Sequence, residues 1–430
     1  MLRPRCRSAL VATPAAPLAA DDRDFRESSL GMAKPLALEQ PQRPPEASTG
    51  TFALWALGFR PFYLLAGTFA ALSVPLWLAQ YAGLLPAPYV RGPVWHGHEM
   101  LFGYALAVIA GFLFTAGRNW TGQPTPTGAL LAAFALLWAA GRVLAFTPYA
   151  IAAALVNAAF PIAVAIGLAV PLWKSRNRRN YFFVALLVLL GVAALAMHFA
   201  WLGMLAWPER ASLQVGLDVV LFILAVMGGR VIPMFTNNGI PGVQATRRPI
   251  VEKLALGSVL ALLAADVLQA PAGAIATIAI VGALAHAARL WLWQPWRTLR
   301  TPLVWVLHAA YAWIVVYLLL RAAAAFGLVG EALAVHALTV GGIGGMTIGM
   351  MTRTARGHTG RPLVADRFEV TCFVLVQCAA LTRVVGALLV PGAYLSTVVL
   401  SGVLWSAAFT VFTVRYWPVL SRERLDGKPG

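Results

Sequence analysis

Four of the seven histidines, His96, His98, His198 and His336, stand in long apolar stretches, as do Glu99, Asp218, Asp266, Arg142, Arg321 and Arg383, and Glu331 shortly precedes His336. Neutral imidazole is a common ligand of haem iron and copper. Guanidinium pairs bidentately with carboxylate, so Arg142, Arg321 and Arg383 suit the propionates of a haem. Met346 and Met350 share a helical face, where thioethers can ligate Cu(I) or simply fill a core. Glu99, Asp218 and Asp266 offer two alternatives, structural ion pairs with the arginines or proton relay, and Glu331 is a further polar residue of the same region. No residue is singled out as catalytic.

Spacing refines the histidine set. His96 and His98 are separated by about 200° around a regular helix, so they cannot both point at one centre. His96 instead shares a face with Glu99 and Met100. One histidine can face the interior while the other meets a second helix or the interface.

Elements that position these groups follow from composition. The 430 residues are 60% apolar and only 11% charged, with mean hydropathy +0.75. A soluble domain carries about 25% charge, so a water-soluble enzyme is excluded. Apolar runs are centred on about 61–80, 97–116, 128–146, 150–172, 182–204, 213–235, 252–269, 272–293, 303–324, 333–351, 369–389 and 394–416. Each approaches the roughly 20 residues needed to cross a bilayer, and membrane strands would be shorter and alternating. The fold class is therefore all-α: a polytopic membrane protein of about twelve transmembrane helices, with the lipid bilayer as its principal partner.

The net charge of +17 is concentrated in particular loops. Most of the basic residues fall in the N-terminal tail, the even-numbered loops and the C-terminal tail, including Arg118, Lys174, Arg247, Arg297, Arg361 and Arg424. That alternation places both termini in the cytoplasm, and the charge reads as an orientation signal with no nucleic-acid partner. The expected organisation is a disordered cytoplasmic tail at 1–50, a membrane domain at 51–418 and a basic cytoplasmic tail at 419–430. Synthesis from Met32 is an alternative for the first 31 residues, and the opening segment is too weakly apolar for a signal peptide. Cys6, Cys372 and Cys378 form neither a disulfide framework nor a CxxC site.

With this topology, His96, His98, His198 and His336 and nearly all the embedded charges gather in the periplasmic half. His286 and His308 lie in the cytoplasmic half, as satisfied structural groups or a second metal site, and His358 is expected in solvent. Ala337, Gly341, Gly345 and Gly349 form a small-residue ladder for close helix approach. Pro233 is expected to kink the end of its helix, where Arg230 pairs locally or snorkels.

Four segments, LWALGFRPFYLLAG (54–67), VWHGHEMLFGYALAVIAGFLFTAGRNWTG (94–122), GRVIPMFTNNG (229–239) and HALTVGGIGGMTIGMMTRTARGHTGRPL (336–363), resemble the NnrS family. The resemblance runs from about Phe52 to Trp417. It implies a twelve-helix protein of the bacterial inner membrane that contains haem and copper and is associated with nitric oxide stress and denitrification. The family's motif histidines fall on His96, His98, His336 and His358. The resemblance does not supply a reaction, and redox activity toward nitrogen oxides is one expectation. A transporter using the embedded charges for substrate or proton coupling is the alternative. A haem-copper oxidase or nitric oxide reductase subunit is disfavoured, because the sequence has no adjacent His-His pair and its HxH lies on the second helix.

Overall fold

The computed structural model describes residues 52–85 and 89–428. The N-terminal tail, Met32 and Cys6 lie outside the described residues. About 80% of the structure is helical and no strand occurs among the described residues, as an all-α membrane protein requires. Twelve long helices follow in order: α1 (Phe59–Tyr81), α2 (Gly92–Thr121), α3 (Gly128–Leu144), α4 (Ala150–Lys174), α5 (Phe182–Trp201) and α6 (Glu209–Gly239). The second half comprises α7 (Pro249–Val267), α8 (Ala272–Leu292), α9 (Pro302–Ala325), α10 (Glu331–His358), α11 (Arg367–Leu389) and α12 (Tyr394–Ser421).

Each of the twelve apolar runs has become a helix, and ten of these helices are long and apolar enough to cross a membrane. The other two fall short for identifiable reasons. α3 has 17 residues, about 26 Å at 1.5 Å per residue, against a hydrocarbon core of about 30 Å. α7 carries Glu252, Lys253 and Asp266 in 19 residues. Both acids are compensated by neighbours, Glu252 by Arg289 on α8 and Asp266 by Arg321 on α9.

Hydrogen bonds between loops tie the basic segments together on one face. Asn177 donates to the Trp120 carbonyl, Gln294 to the Gln244 carbonyl and Arg424 to the His358 carbonyl. Ala53 N–H donates to Ser421 O at 2.8 Å. The beginning and end of the bundle therefore share this basic face, as an even number of crossings demands. At the opposite face Trp201 donates to the Tyr89 carbonyl, and Arg383 to the Tyr394 hydroxyl.

Consecutive helices pack on one another, and α12 returns to pack on α1. α2 and α6 are buried over most of their length, whereas Ile166 on α4 and Val403 on α12 turn apolar side chains outward to lipid. The small-residue ladder of α10 lies against α9. A β-carbon at Gly341 would collide with Trp313, and one at Gly349 would approach Val306 to 2.8 Å. α6 does not stop at Pro233; it continues helical to Gly239, and membrane helices tolerate proline where neighbours satisfy the freed backbone. Arg230 donates to Asn180 at 2.7 Å, a partner 50 residues away in the chain.

Candidate functional site

The residues of the site are set by three departures from α-helical geometry. α2 is α-helical through His98, π-helical over Glu99–Ala105 and α-helical again from Leu106. α10 turns π-helical over Ala337–Gly344, directly after His336, and α11 over Thr382–Gly386, which contains Arg383. π-helical segments are rare and concentrate at functional sites, because the extra residue re-aims the side chains around it.

Glu99 is fully buried and is held from two sides. Its Oε1 accepts from His98 Nδ1 at 2.8 Å, and its Oε2 accepts from Arg142 Nη1 of α3 at 2.6 Å. Arg142 also donates to the Asn157 side chain of α4. A β-carbon at Gly103 would sit 2.6 Å from Arg142 Nη1, so a glycine in the π-helical turn is what lets α3 deliver its guanidinium to Glu99. Glu99 thus sides with His98, in place of the face shared with His96 that regular helical spacing implied.

His198 of α5 meets His98 edge-on, with ring centroids 4.7 Å apart and planes inclined at 67°. Its Nδ1 shares a 2.6 Å hydrogen bond with the Tyr89 hydroxyl. The Nε2 atoms of His98 and His198 are both buried and have no protein partner. An imidazole fixed through one nitrogen by a carboxylate or oxygen, with the other left free, is the arrangement of a metal ligand.

His96 belongs to a second pair. It stacks on Trp77 of α1 at 4.6 Å and lies nearly parallel to His336, with centroids 6.4 Å apart and 13° between planes. His336 Nδ1 donates to the Ala332 carbonyl at 2.6 Å, leaving Nε2 as its free nitrogen. His96 Nδ1 and Arg383 Nη1 are buried without partners. The two histidines of HxH therefore serve different neighbours, one pair on α2 and α5 and the other on α2 and α10. Among the described residues no three His, Cys, Asp or Glu side chains converge as a metal-holding group.

Other residues named from the sequence stand apart from these pairs. Arg321 is engaged by Asp266 at 2.5 Å and is not a free partner for a propionate. Asp218 accepts from Gln214 at 2.9 Å, and the Oδ2 atoms of Asp218 and Asp266 are buried without a hydrogen-bond partner. Glu331 is exposed at the start of α10. Met346 and Met350 line an apolar cleft of about 580 Å³ with Met227 and Tyr63, well down α10 from His336. His286 has both ring nitrogens bonded to protein, Nδ1 to Tyr311 OH and Nε2 to the Ala255 carbonyl. His308 bonds Thr236 through Nε2. His358 is half-buried against Phe59, at 5.5 Å between ring centroids, and not in solvent. Cys372 and Cys378 are both free.

Tyr89, Asn157, Trp77 and Tyr394 were not singled out from the sequence. Asn157 had a signal, a lone amide in the middle of an apolar run. The aromatic residues had only their position near the ends of spans, where Trp and Tyr are common.

Residues 53–424 match the family model described as NnrS protein. No curated protein matches the chain.

Proposed function

The chain belongs to the NnrS family, and from that premise we propose that this multi-pass membrane protein resides in a bacterial inner membrane, binds haem and copper, and contributes to nitric oxide tolerance or denitrification-linked metabolism. The observation that carries the metal-binding part is the His98 and His198 pair, whose Nε2 atoms are buried and unpartnered. Glu99 and Tyr89 hold the opposite nitrogens and so orient both rings. Arg142 neutralises Glu99, which keeps the carboxylate available to His98 inside the protein. His96 and His336 form the second candidate ligand pair, with Arg383 as the cation nearest them in the fold for an anionic substituent. A bound haem or copper would supply a redox centre and a coordination position for nitric oxide or a related species. Redox activity toward nitrogen oxides is the enzymatic form of this reading.

Absorbance and elemental analysis of detergent-purified protein test it. A Soret band or stoichiometric copper is expected, and the signal should be lost in His98→Ala or His198→Ala. Colourless, copper-free wild-type protein would overturn the reading.

A second reading, a proton-coupled transporter, is favoured by one observation. Asp218 and Asp266 form a buried acid pair with a single arginine, and embedded acids of this kind occur in proton paths. Metal-free protein whose proteoliposomes carry proton flux abolished by Asp218→Asn would support it over the first.

A further inference from the structure

On the basic face, where the loop between α10 and α11 meets the end of α12, a pocket of about 610 Å³ is lined by Arg356, Arg361, Arg415 and Arg422, together with Glu369 and Tyr416. Four guanidinium groups around one cavity demand counter-charge, and the protein supplies little. Glu369 is already committed, accepting from Arg356 Nη1 at 2.6 Å and from the Tyr416 hydroxyl at 2.5 Å. Arg415 reaches Asp366 at 3.0 Å, in an exposed pair. Arg361 Nη1 is buried and has no hydrogen-bond partner. Burial holds Arg361 below its ordinary range, and the neighbouring Arg356, Arg415 and Arg422 add to this while Tyr416 opposes it. A guanidinium crowded by its own kind, with a buried N–H directed at no acceptor, is a site missing an anion.

The surroundings narrow which anion. Planar guanidinium donors match the paired oxygens of phosphate. Pro418 and Val419 also line the pocket, while Phe368 and Trp417 are exposed nearby, as aromatic side chains are at a bilayer interface. Basic pockets between transmembrane helices on the cytoplasmic side take lipid headgroups. We propose that the pocket bounded by Arg356, Arg361, Arg415 and Arg422 binds a phosphate group, carried by an anionic phospholipid of the inner leaflet or by a soluble phosphate. This inference is independent of the haem and copper reading, since the pocket lies on the face opposite the four histidines.

The test uses the full chain in three settings: detergent with added inorganic phosphate, vesicles of phosphatidylcholine, and phosphatidylcholine vesicles containing phosphatidylglycerol. Native mass spectrometry reads retained lipid, and thermal unfolding reads stabilisation. Each charge-assisted hydrogen bond lost from a bound phosphate weakens its retention about tenfold, so the Arg361→Gln/Arg422→Gln double variant, which removes two of the pocket's guanidinium groups, should retain phosphatidylglycerol about 100-fold more weakly. Arg297→Gln, an exposed charge elsewhere on the basic face, should leave retention unchanged. Stabilisation by phosphatidylglycerol alone identifies the lipid as the source. Stabilisation by inorganic phosphate alone, lost in the double variant, identifies a soluble phosphate. If the double variant is poorly folded, Arg422→Gln alone supplies the comparison, because that side chain is exposed and only its backbone carbonyl is used by Arg60. Equal responses in wild type, either arginine variant and Arg297→Gln would overturn the proposal.

Discussion

His98 and His198 touch edge to ring at 4.7 Å, each tied through Nδ1 to a different oxygen, and each with Nε2 buried and free. The tie on the His198 side is the more easily removed. Tyr89→Phe deletes only the hydroxyl that orients His198, and loss of such an outer partner lowers metal affinity about 10- to 100-fold. On the proposed metal-binding role of the pair, competition with a chelator should therefore strip metal from Tyr89→Phe at correspondingly lower chelator concentration than from wild type. Unchanged retention would separate Tyr89 from the site.

The Glu99 and Arg142 pair is buried, so removing one partner strands the other. Arg142→Gln should destabilise the protein by about 3–5 kcal/mol, measured by thermal unfolding in detergent. Adding Glu99→Gln to it should recover part of that loss, because the stranded carboxylate is then gone. A double variant as unstable as the sum of the single variants would refute the coupling.

Two acids share one arginine at the Asp218 cluster, and they are not equivalent. Asp218→Asn keeps a polar partner for Gln214 and removes an acid with no ion-pair partner of its own beside Asp266, so stability should hold or rise. Arg321→Gln leaves both acids without a cation and should cost about 3–5 kcal/mol. The opposite order of stability in unfolding measurements would show that Asp218 needs its charge.

Glycine replacements should divide by location. Gly341→Ala drives a methyl into Trp313, an overpacking that costs about 1–3 kcal/mol. Gly257→Ala on α7 meets nothing within 4 Å and should be neutral or stabilising by about 0.5–1 kcal/mol. Read in the same micelle, the Gly341→Ala midpoint should fall while that of Gly257→Ala should hold or rise.

Asp366 caps α11 through the N–H groups of Phe368 and Glu369 and meets Arg415. Partial burial raises its carboxyl, but the Arg415 guanidinium and the two N–H donors outweigh this and leave it below its ordinary range. A depressed carboxyl stabilises the fold above its unfolded value, near 4, and that contribution is lost as pH falls through the folded value. Asp366→Ala should cost about 1 kcal/mol at neutral pH, and the gap from wild type should narrow as pH falls below the unfolded value and through the folded one. A gap that persists there would show that the cap does not depend on ionisation.

Hydropathy made the helices legible, and the basic residues made their alternation legible, because both signals are properties of long segments. Depth followed from those, which is why His96, His98, His198 and His336 could be grouped before any coordinates. Pairing within the group was not legible. The assumption of a regular helix placed His96 with Glu99, whereas the π-helical turn beginning at Glu99 reassigns that carboxylate to His98 and Arg142. No residue type announces a π-helical turn, and its cause lies in tertiary packing, where Gly103 must admit Arg142. Arg321 was readable as an ion-pair partner but not as one engaged by Asp266, since loop lengths do not say which helices become neighbours. The arginine pocket was hidden in the same way. Its four members were visible only as an orientation signal until the loop after α10 folded against the end of α12.

The bond from Ala53 to Ser421, with Arg60 donating to the carbonyls of Leu420 and Arg422, bears on biogenesis. A chain leaving the ribosome presents α1 first and α12 last, so the seam between them closes only after every other span has been inserted. Until then α1 exposes the surface meant for α12, including the fully buried Arg60, to lipid or to the insertion machinery. Closure of the seam therefore depends on the last helix, which supplies the carbonyls that Arg60 and Ala53 use. The same closure sets the two ends of the membrane domain side by side, a geometry suited to joining them and reopening the ring at another loop.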